Sequence, residues 1–193
     1  ENGNDAGYWS TKEDKKYGSL LKPIPETVWN ESCAGELCFN NIFAASGGKS
    51  TVFPKPSWQA GVPGIPYDQA RDLPDVSLTA SSHDAYVVCV EGSCQQDPGG
   101  GFAFYAVSGT SASAPSFAGI MALINQKTGS RQGQANYMLY KLAALQNYSQ
   151  CNGSSVALAA SGCVFNDITT GNNAVPGQPG YGTPTAAYQA ALG

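Results

Sequence analysis

The sequence predicts an α/β protein with helices layered on a sheet. Three observations predict it: short apolar runs rich in valine and aromatic residues, a helix that is apolar on nearly every face, and the order strand, crossover, buried helix. At 193 residues the chain is long enough for one hydrophobic core, so residues 1–193 are expected to belong to one domain.

Residues 1–30 are polar and aperiodic, which predicts an extended surface excursion anchored at Tyr8-Trp9-Ser10 and Ile24-Pro25-Glu26. Residues 75–80 and 86–90 read as buried strands, with Glu91-Gly92 as a turn. Asp97-Pro98-Gly99-Gly100-Gly101 forms a loop that feeds a strand over residues 102–107. From Phe117 to Ile124 nearly every residue is apolar, the pattern of a buried helix. That helix ends near Lys127, with Gly129 placed to cap it. A second helix over residues 134–145 repeats apolar residues at Ala135, Met138, Leu139, Leu142 and Ala143, enough to cover one face. After Ser154 the breakers Gly171, Pro176, Gly177, Pro179, Gly180, Gly182 and Pro184 predict loops. No internal repeat is visible.

Composition narrows the partners. Only 12% of residues are charged, the net charge is −4, and glycine (23) and proline (12) are frequent, which favours a compact, loop-rich extracellular protein. There is no basic patch, which argues against a nucleic-acid partner. No run approaches the ~20 apolar residues of a membrane helix, so no membrane partner is expected. The chain opens on Glu1 without methionine or a signal peptide, which reads as a processed, excised or truncated product.

Six cysteines fall in three close pairs, Cys33/Cys38, Cys89/Cys94 and Cys151/Cys163. The sequence does not fix their connectivity, but proximity favours three local bridges and hence an oxidising compartment. A metal role is disfavoured, since no pair has C-x-x-C spacing and His83 is the sole histidine. Asn30-Glu31-Ser32, Asn147-Tyr148-Ser149 and Asn152-Gly153-Ser154 are N-glycosylation sequons, or chance matches to one.

The most informative segment is Ser108-Gly109-Thr110-Ser111-Ala112-Ser113-Ala114-Pro115, between the aromatic strand and the apolar helix. Unpaired N–H groups and the positive dipole end at a helix start favour a developing negative charge there. Gly109 lets the backbone approach a substrate, and Pro115 is expected in the first turn, where a missing N–H costs little. This places Ser111 as a nucleophile whose own N–H is an oxyanion donor. The plain alternative is a helix N-cap.

The eight-residue string resembles the nucleophile segment of the sedolisin family, the serine-carboxyl peptidases, S-G-T-S-x-S-x-P. The related subtilisin pattern has Met-Ala where this chain has Ala112-Ser113. The resemblance continues in Ala45-Ser46-Gly47-Gly48-Lys49-Ser50, Pro56-Ser57-Trp58-Gln59, Arg71-Asp72-Leu73-Pro74-Asp75-Val76-Ser77, Leu123-Ile124-Asn125-Gln126, Leu139-Tyr140 and Phe165-Asn166-Asp167-Ile168-Thr169. It covers nearly the whole chain in order.

The resemblance implies a subtilisin-like layered fold with a mostly parallel sheet, present here only as the C-terminal half of one catalytic domain. It implies an acid-acting, secreted endopeptidase that forms an acyl-enzyme on Ser111, supported by Gly109 and Thr110, with polypeptide as substrate. The family's base is a glutamate backed by an aspartate four residues later, and a further aspartate serves the oxyanion. All three fall upstream of this chain. The isolated chain is therefore expected to be inactive and to need the N-terminal half of the domain as its partner. Glu1 and Asp5 have the E-x-x-x-D spacing but sit at a terminus with Asn2, Gly3 and Asn4, a poor helix, and are read as coincidence.

A structural calcium ion is also implied. Asp167 and Ile168 match the first half of its site, and Ala191 and Gly193 align with the start of the second, leaving the site incomplete. Pro179-Gly180-Tyr181-Gly182 offers another register but no aspartate. By analogy residues 46–50 lie beside the substrate; a turn before Phe53 is the plainer reading. Two rivals stand beside the serine-carboxyl reading. One is a histidine-based, subtilisin-type enzyme, for which only His83 with Asp84 is present; the other is a secreted module that kept the fold without the chemistry.

Overall fold

The computed structural model describes residues 7–15, 18–33, 41–155 and 162–178. Its elements are β1 (Gly48–Pro54), β2 (Ala70–Leu73), β3 (Tyr86–Val88), β4 (Tyr105–Val107), α1 (Thr110–Thr128), α2 (Asn136–Leu145) and a 3₁₀ turn, Tyr148–Gln150. They fall into two compact units. One comprises Glu1–Pro74 with Asn136–Gly193, the other Asp75–Ala135. Helices and strands are both present, but the two sheets described are antiparallel pairs, β1–β2 and β3–β4. The mostly parallel sheet is not among the described residues; a single parallel bridge joins Asn152 to Asp167.

In the first unit, β1 and β2 pair through Gly48↔Leu73, Lys49↔Asp72 and Pro54↔Ala70, with a bulge between Lys49 and Pro54. The pairing needs Gly47: a Cβ there would lie 2.4 Å from the Leu73 carbonyl oxygen. Gln59, wholly buried, makes a third partner for β2. Its Oε1 accepts the Asp72 N–H (2.8 Å) while its Nε2 donates to the Asp72 carbonyl (2.9 Å) and to the Tyr140 hydroxyl of α2 (2.7 Å). Its neighbour Trp58 packs on Tyr140 and Tyr137, with ring centroids 4.9 and 6.1 Å away, and takes the Arg71 guanidinium 4.9 Å from its centroid. The motif Pro-Ser-Trp-Gln thus joins the hairpin to α2.

Of the two predicted anchors of the N-terminal excursion, the one at Glu26 reaches the rest of the unit, while Tyr8 and Trp9 make contacts inside the excursion itself. Trp9 bridges Leu20, the Lys22 ammonium lies over the Tyr8 ring, and the Glu26 N–H donates to Gly153 O. Between residues 162 and 178 there is no helix or strand, as the breakers predict.

The second unit departs more from expectation. Residues 75–80 are not a strand, and the carbonyls at their end serve the start of α1: Ala80 O accepts the Gly109 N–H (2.7 Å) and Thr79 O accepts the Ser113 hydroxyl (3.2 Å). β3 stops at Val88, where the Cys89–Cys94 disulfide closes a turn with Glu91 and Gly92 both at positive φ. β4 covers only the last three residues of the predicted run, while Phe102 and Phe104 stack on each other and stay exposed. α1 runs as predicted to a left-handed cap at Gly129, φ 67°. It is not buried, however. Ala112 is its one buried residue, and Ile120 and Leu123 are 41% and 65% exposed. Apolarity all round states what a helix needs to cover it, and the described residues do not supply that cover.

Charge tightens the hairpin of the first unit. Lys55, its side chain 8% exposed, contacts Asp72 and, at 3.1 Å, Asp68. Burial alone would lower the pKa of this ammonium, but hydrogen bonds and the charges of the two carboxylates outweigh it and hold the pKa above its ordinary 10.5. Asp68 is held below its ordinary 3.8, first by the Ala70 N–H and then by Lys55. A lowered carboxylate pKa stabilises the fold above the unfolded value, and that contribution disappears as pH falls through the folded one. For Lys55 the contribution is complete below 10.5 and is lost as pH rises through its higher folded value. The expected outcome is a plateau of stability between these limits. In acid-unfolding curves followed by tryptophan fluorescence, Asp68→Asn should remove part of the loss seen below pH 3.8; an unchanged acid limb contradicts the assignment.

Candidate active site at the start of α1

β4 delivers the chain to Ser108 and then to Gly109, whose φ of 74° and ψ of 178° fall in a region essentially reserved for glycine. Gly109 turns the backbone into α1, and its carbonyl accepts the N–H groups of Ala112 (3.0 Å) and Ser113 (3.4 Å). Thr110 is the first helical residue and is exposed. Two serines in this turn have opposite fates. The Ser113 hydroxyl is committed to Thr79 O, tying the helix start to residues 79–80. Ser111 is exposed, and neither its hydroxyl nor its N–H engages a described group. Its N–H is one of the donors that a helix leaves unpaired in its first turn.

Pro115 sits differently from expectation. With α1 starting at Thr110 it lies beyond the first turn, and the N–H it lacks is the one that would bond the Ser111 carbonyl. Both backbone groups of Ser111 therefore stand outside the helical ladder. The first turn of α1 holds no acidic residue. His83 is exposed, with its backbone N–H on Ser81 Oγ, and no hydrogen bond joins it to Ser111. Glu1 and Asp5 lie outside the described residues.

The Asp167 segment belongs to the first unit. Asp167 donates its N–H to Cys151 O (2.7 Å), and its carbonyl accepts the Gly153 N–H (2.8 Å). Asn152 Oδ1 accepts the Ser154 N–H and the Thr169 hydroxyl, while Ser154 Oγ accepts from Thr169 N and Thr170 N and donates to Glu26 O. Gly153 is required here, since a Cβ would meet Asn166 Cβ at 2.8 Å. Within this lattice the Asp167 carboxylate and the Ile168 carbonyl accept no hydrogen bond from a described group. Ala191 and Gly193 lie outside the described residues, and no cluster of three His, Cys, Asp or Glu side chains among the described residues could hold a metal.

No protein-family model matches the chain. It is similar to kumamolisin of Bacillus sp. (strain MN-32), 35% identical over 153 residues, covering 77% of this chain and 21% of that protein. It is similar also to sedolisin of Pseudomonas sp. (strain 101), 30% identical over 157 residues, covering 81% of this chain and 21% of that protein. The chain belongs to the sedolisin-like family. Xanthomonalisin of Xanthomonas sp. (strain T-22) is 29% identical over 153 residues, 77% of this chain and 15% of its own length. The sedolisin-like chain thus spans about a fifth of the length of the curated relatives it matches.

Of the residues predicted for the site, the structure brings Gly109, Thr110 and Ser111 together at one helix start and sets Asp167 and Ile168 in the other unit. Cys89–Cys94 and Cys151–Cys163 are bonded as proximity suggested; Cys33 is disulfide-bonded, and Cys38 lies outside the described residues. Residues 46–50 open β1, where Gly47 abuts Leu73. Sequence reasoning missed two positioning residues of this sedolisin-like chain. Gln59 was visible within its motif, but nothing in a sequence marks a glutamine as buried. Ser113 was indistinguishable from Ser111 until the carbonyl of Thr79 was placed.

Gly109→Ala forces a side chain into a glycine-only conformation, at a cost of about 1–3 kcal/mol. In the full-length protein it should slow labelling of Ser111 by an acylating fluorophosphonate at least ~5-fold, the rate equivalent of the lower bound on that cost. Labelling at the parental rate would show that the turn does not position the serine.

Proposed function

We propose that the parent protein is a secreted, acid-acting serine-carboxyl endopeptidase, and that this chain is the C-terminal portion of its catalytic domain. The observation that carries the reading is Ser111 itself: exposed at the start of α1, free of hydrogen bonds to described groups, within a string that matches the family's nucleophile segment. In this reading Ser111 Oγ attacks the carbonyl carbon of an extended polypeptide and gives its proton to a carboxylate supplied by the N-terminal half of the domain. The Ser111 N–H and the α1 dipole face the developing oxyanion. The amine leaves with a proton, and water then releases the acyl group from Ser111. A carboxylate base works nearest its own pKa, which places the activity in acid. The subtilisin-like fold, with a mostly parallel sheet completed by that other half, would cover the exposed apolar faces of α1.

The disulfides support an extracellular location, and no helix among the described residues is long and apolar enough to cross a membrane. Calcium fits the Asp167 segment in its donor chemistry: a carboxylate and a carbonyl oxygen, both without hydrogen bonds to described groups, on a backbone fixed from Asn152 and Ser154. Asp167 and Ile168 would hold the ion together with Ala191 and Gly193, and the ion would supply a charge that ties their segments together.

Ser111→Ala in the full-length protein should lower peptide release from denatured protein at acid pH by at least ~10⁴-fold with the fold intact. Peptide release by the isolated 193-residue chain would overturn the need for an upstream half. For calcium, removing the ion with a chelator should lower the melting temperature of the parental protein and leave that of Asp167→Asn little changed. Equal shifts in both would exclude Asp167 as a ligand.

A further inference from the structure

The three sequons differ in what the fold has done with each asparagine. Asn30 is half-buried, and its Nδ2 donates to two carbonyls, Asn172 O (3.0 Å) and Ala174 O (2.7 Å), while its Oδ1 accepts the Ser32 N–H. A sugar on that nitrogen would leave it one hydrogen for two acceptors and would need the space those carbonyls fill. Asn152 is half-buried at the centre of the lattice that fixes Asp167, beside Gly153, where a single added carbon already clashes. Asn147 is different. It is exposed just ahead of the 3₁₀ turn, and its Nδ2 meets no described group. The sequon's own Ser149 hydroxyl donates to Asn147 Oδ1 at 2.8 Å, which fixes the amide with its nitrogen outward. Between them Tyr148 is half-buried; burial, and then the charge of Asp167, raises its hydroxyl pKa above the ordinary 10.0. The Cys151–Cys163 disulfide follows directly.

Beside Asn147 lies an open cleft of about 270 Å³ walled by Leu142, Leu145, Gln146, Cys163 and Val164. Leu145 is 76% exposed. Exposed apolar surface of this kind invites association, and a bulky polar substituent at its rim counters it.

We propose that Asn147 is the N-glycan acceptor of this chain in a eukaryotic secretory pathway, that Asn30 is excluded from that role, and that the first sugars attached to Asn147 shield the Leu145–Val164 cleft. The proposal rests on the extracellular reading, so the test imposes secretion from outside. The full-length protein is expressed in yeast behind a heterologous secretion leader. The secreted product is deglycosylated enzymatically in heavy-oxygen water, and its peptides are mapped by mass. Labelled aspartate at position 147 and unlabelled asparagine at position 30 is the expected result. An unmodified Asn147, or sugar on Asn30, overturns it. Asn147→Gln and Ser149→Ala each remove the sequon; both should lose one glycan's mass and gain fluorescence of an apolar-surface dye. Sequon loss without a dye response would overturn the shielding role. Ser111 labelling, measured on the same samples, tests the peptidase reading separately.

Discussion

The first unit depends on one amide. Gln59 presents to β2 what a third strand would, an acceptor for the Asp72 N–H and a donor for its carbonyl, and gives its remaining hydrogen to Tyr140. An unmet backbone group in so buried a place costs about 1–3 kcal/mol, so the amide and β2 need each other. Much else follows from that clamp. It holds Trp58 against Tyr140 and under Arg71, and fixes Asp72, whose carboxylate then meets Lys55. It also brings the chain before Pro74 and the chain after Asn136 into one body.

The second unit rests on a different device. Here the helix start is held by backbone and hydroxyl donors reaching carbonyls of residues 79 and 80, and no buried side chain plays the part of Gln59. The result is a well-directed first turn on a helix whose apolar surface stays open. Position and cover are separate requirements, and this stretch meets the first. The open faces of α1 and of β4 follow from the composition of the sequence as much as from the fold, since a helix apolar all round cannot cover itself.

What could be read in the residues divides along the same line. Local signals transferred well: Gly129 ends α1, Glu91-Gly92 turns, close cysteines pair, and breakers empty the chain of regular structure after Ser154 among the described residues. Signals that depend on distant partners did not. Residues 75–80 have a strand's composition but form no strand, with the Thr79 and Ala80 carbonyls given to a helix start, and Pro115 falls one turn later than the motif suggested because the helix begins at Thr110. The place of Ser111 at a helix start was legible because its string is specific. Its freedom from hydrogen bonds to described groups was not, since that depends on Ser113 and Gly109 taking the bonds nearby.

The order in which residues leave the ribosome gives the Gln59 clamp a further meaning. Its two ends, Gln59 and Tyr140, lie 81 residues apart in sequence, and the whole of the second unit is threaded between them. The hairpin of β1 and β2 can form as soon as it emerges, and so can the small ring closed by Cys89 and Cys94. The first unit cannot close until α2 has been made, and by then the intervening segment has had its chance to fold. Within that clamp Tyr140 is the half that arrives last, after the segment carrying the nucleophile has been made.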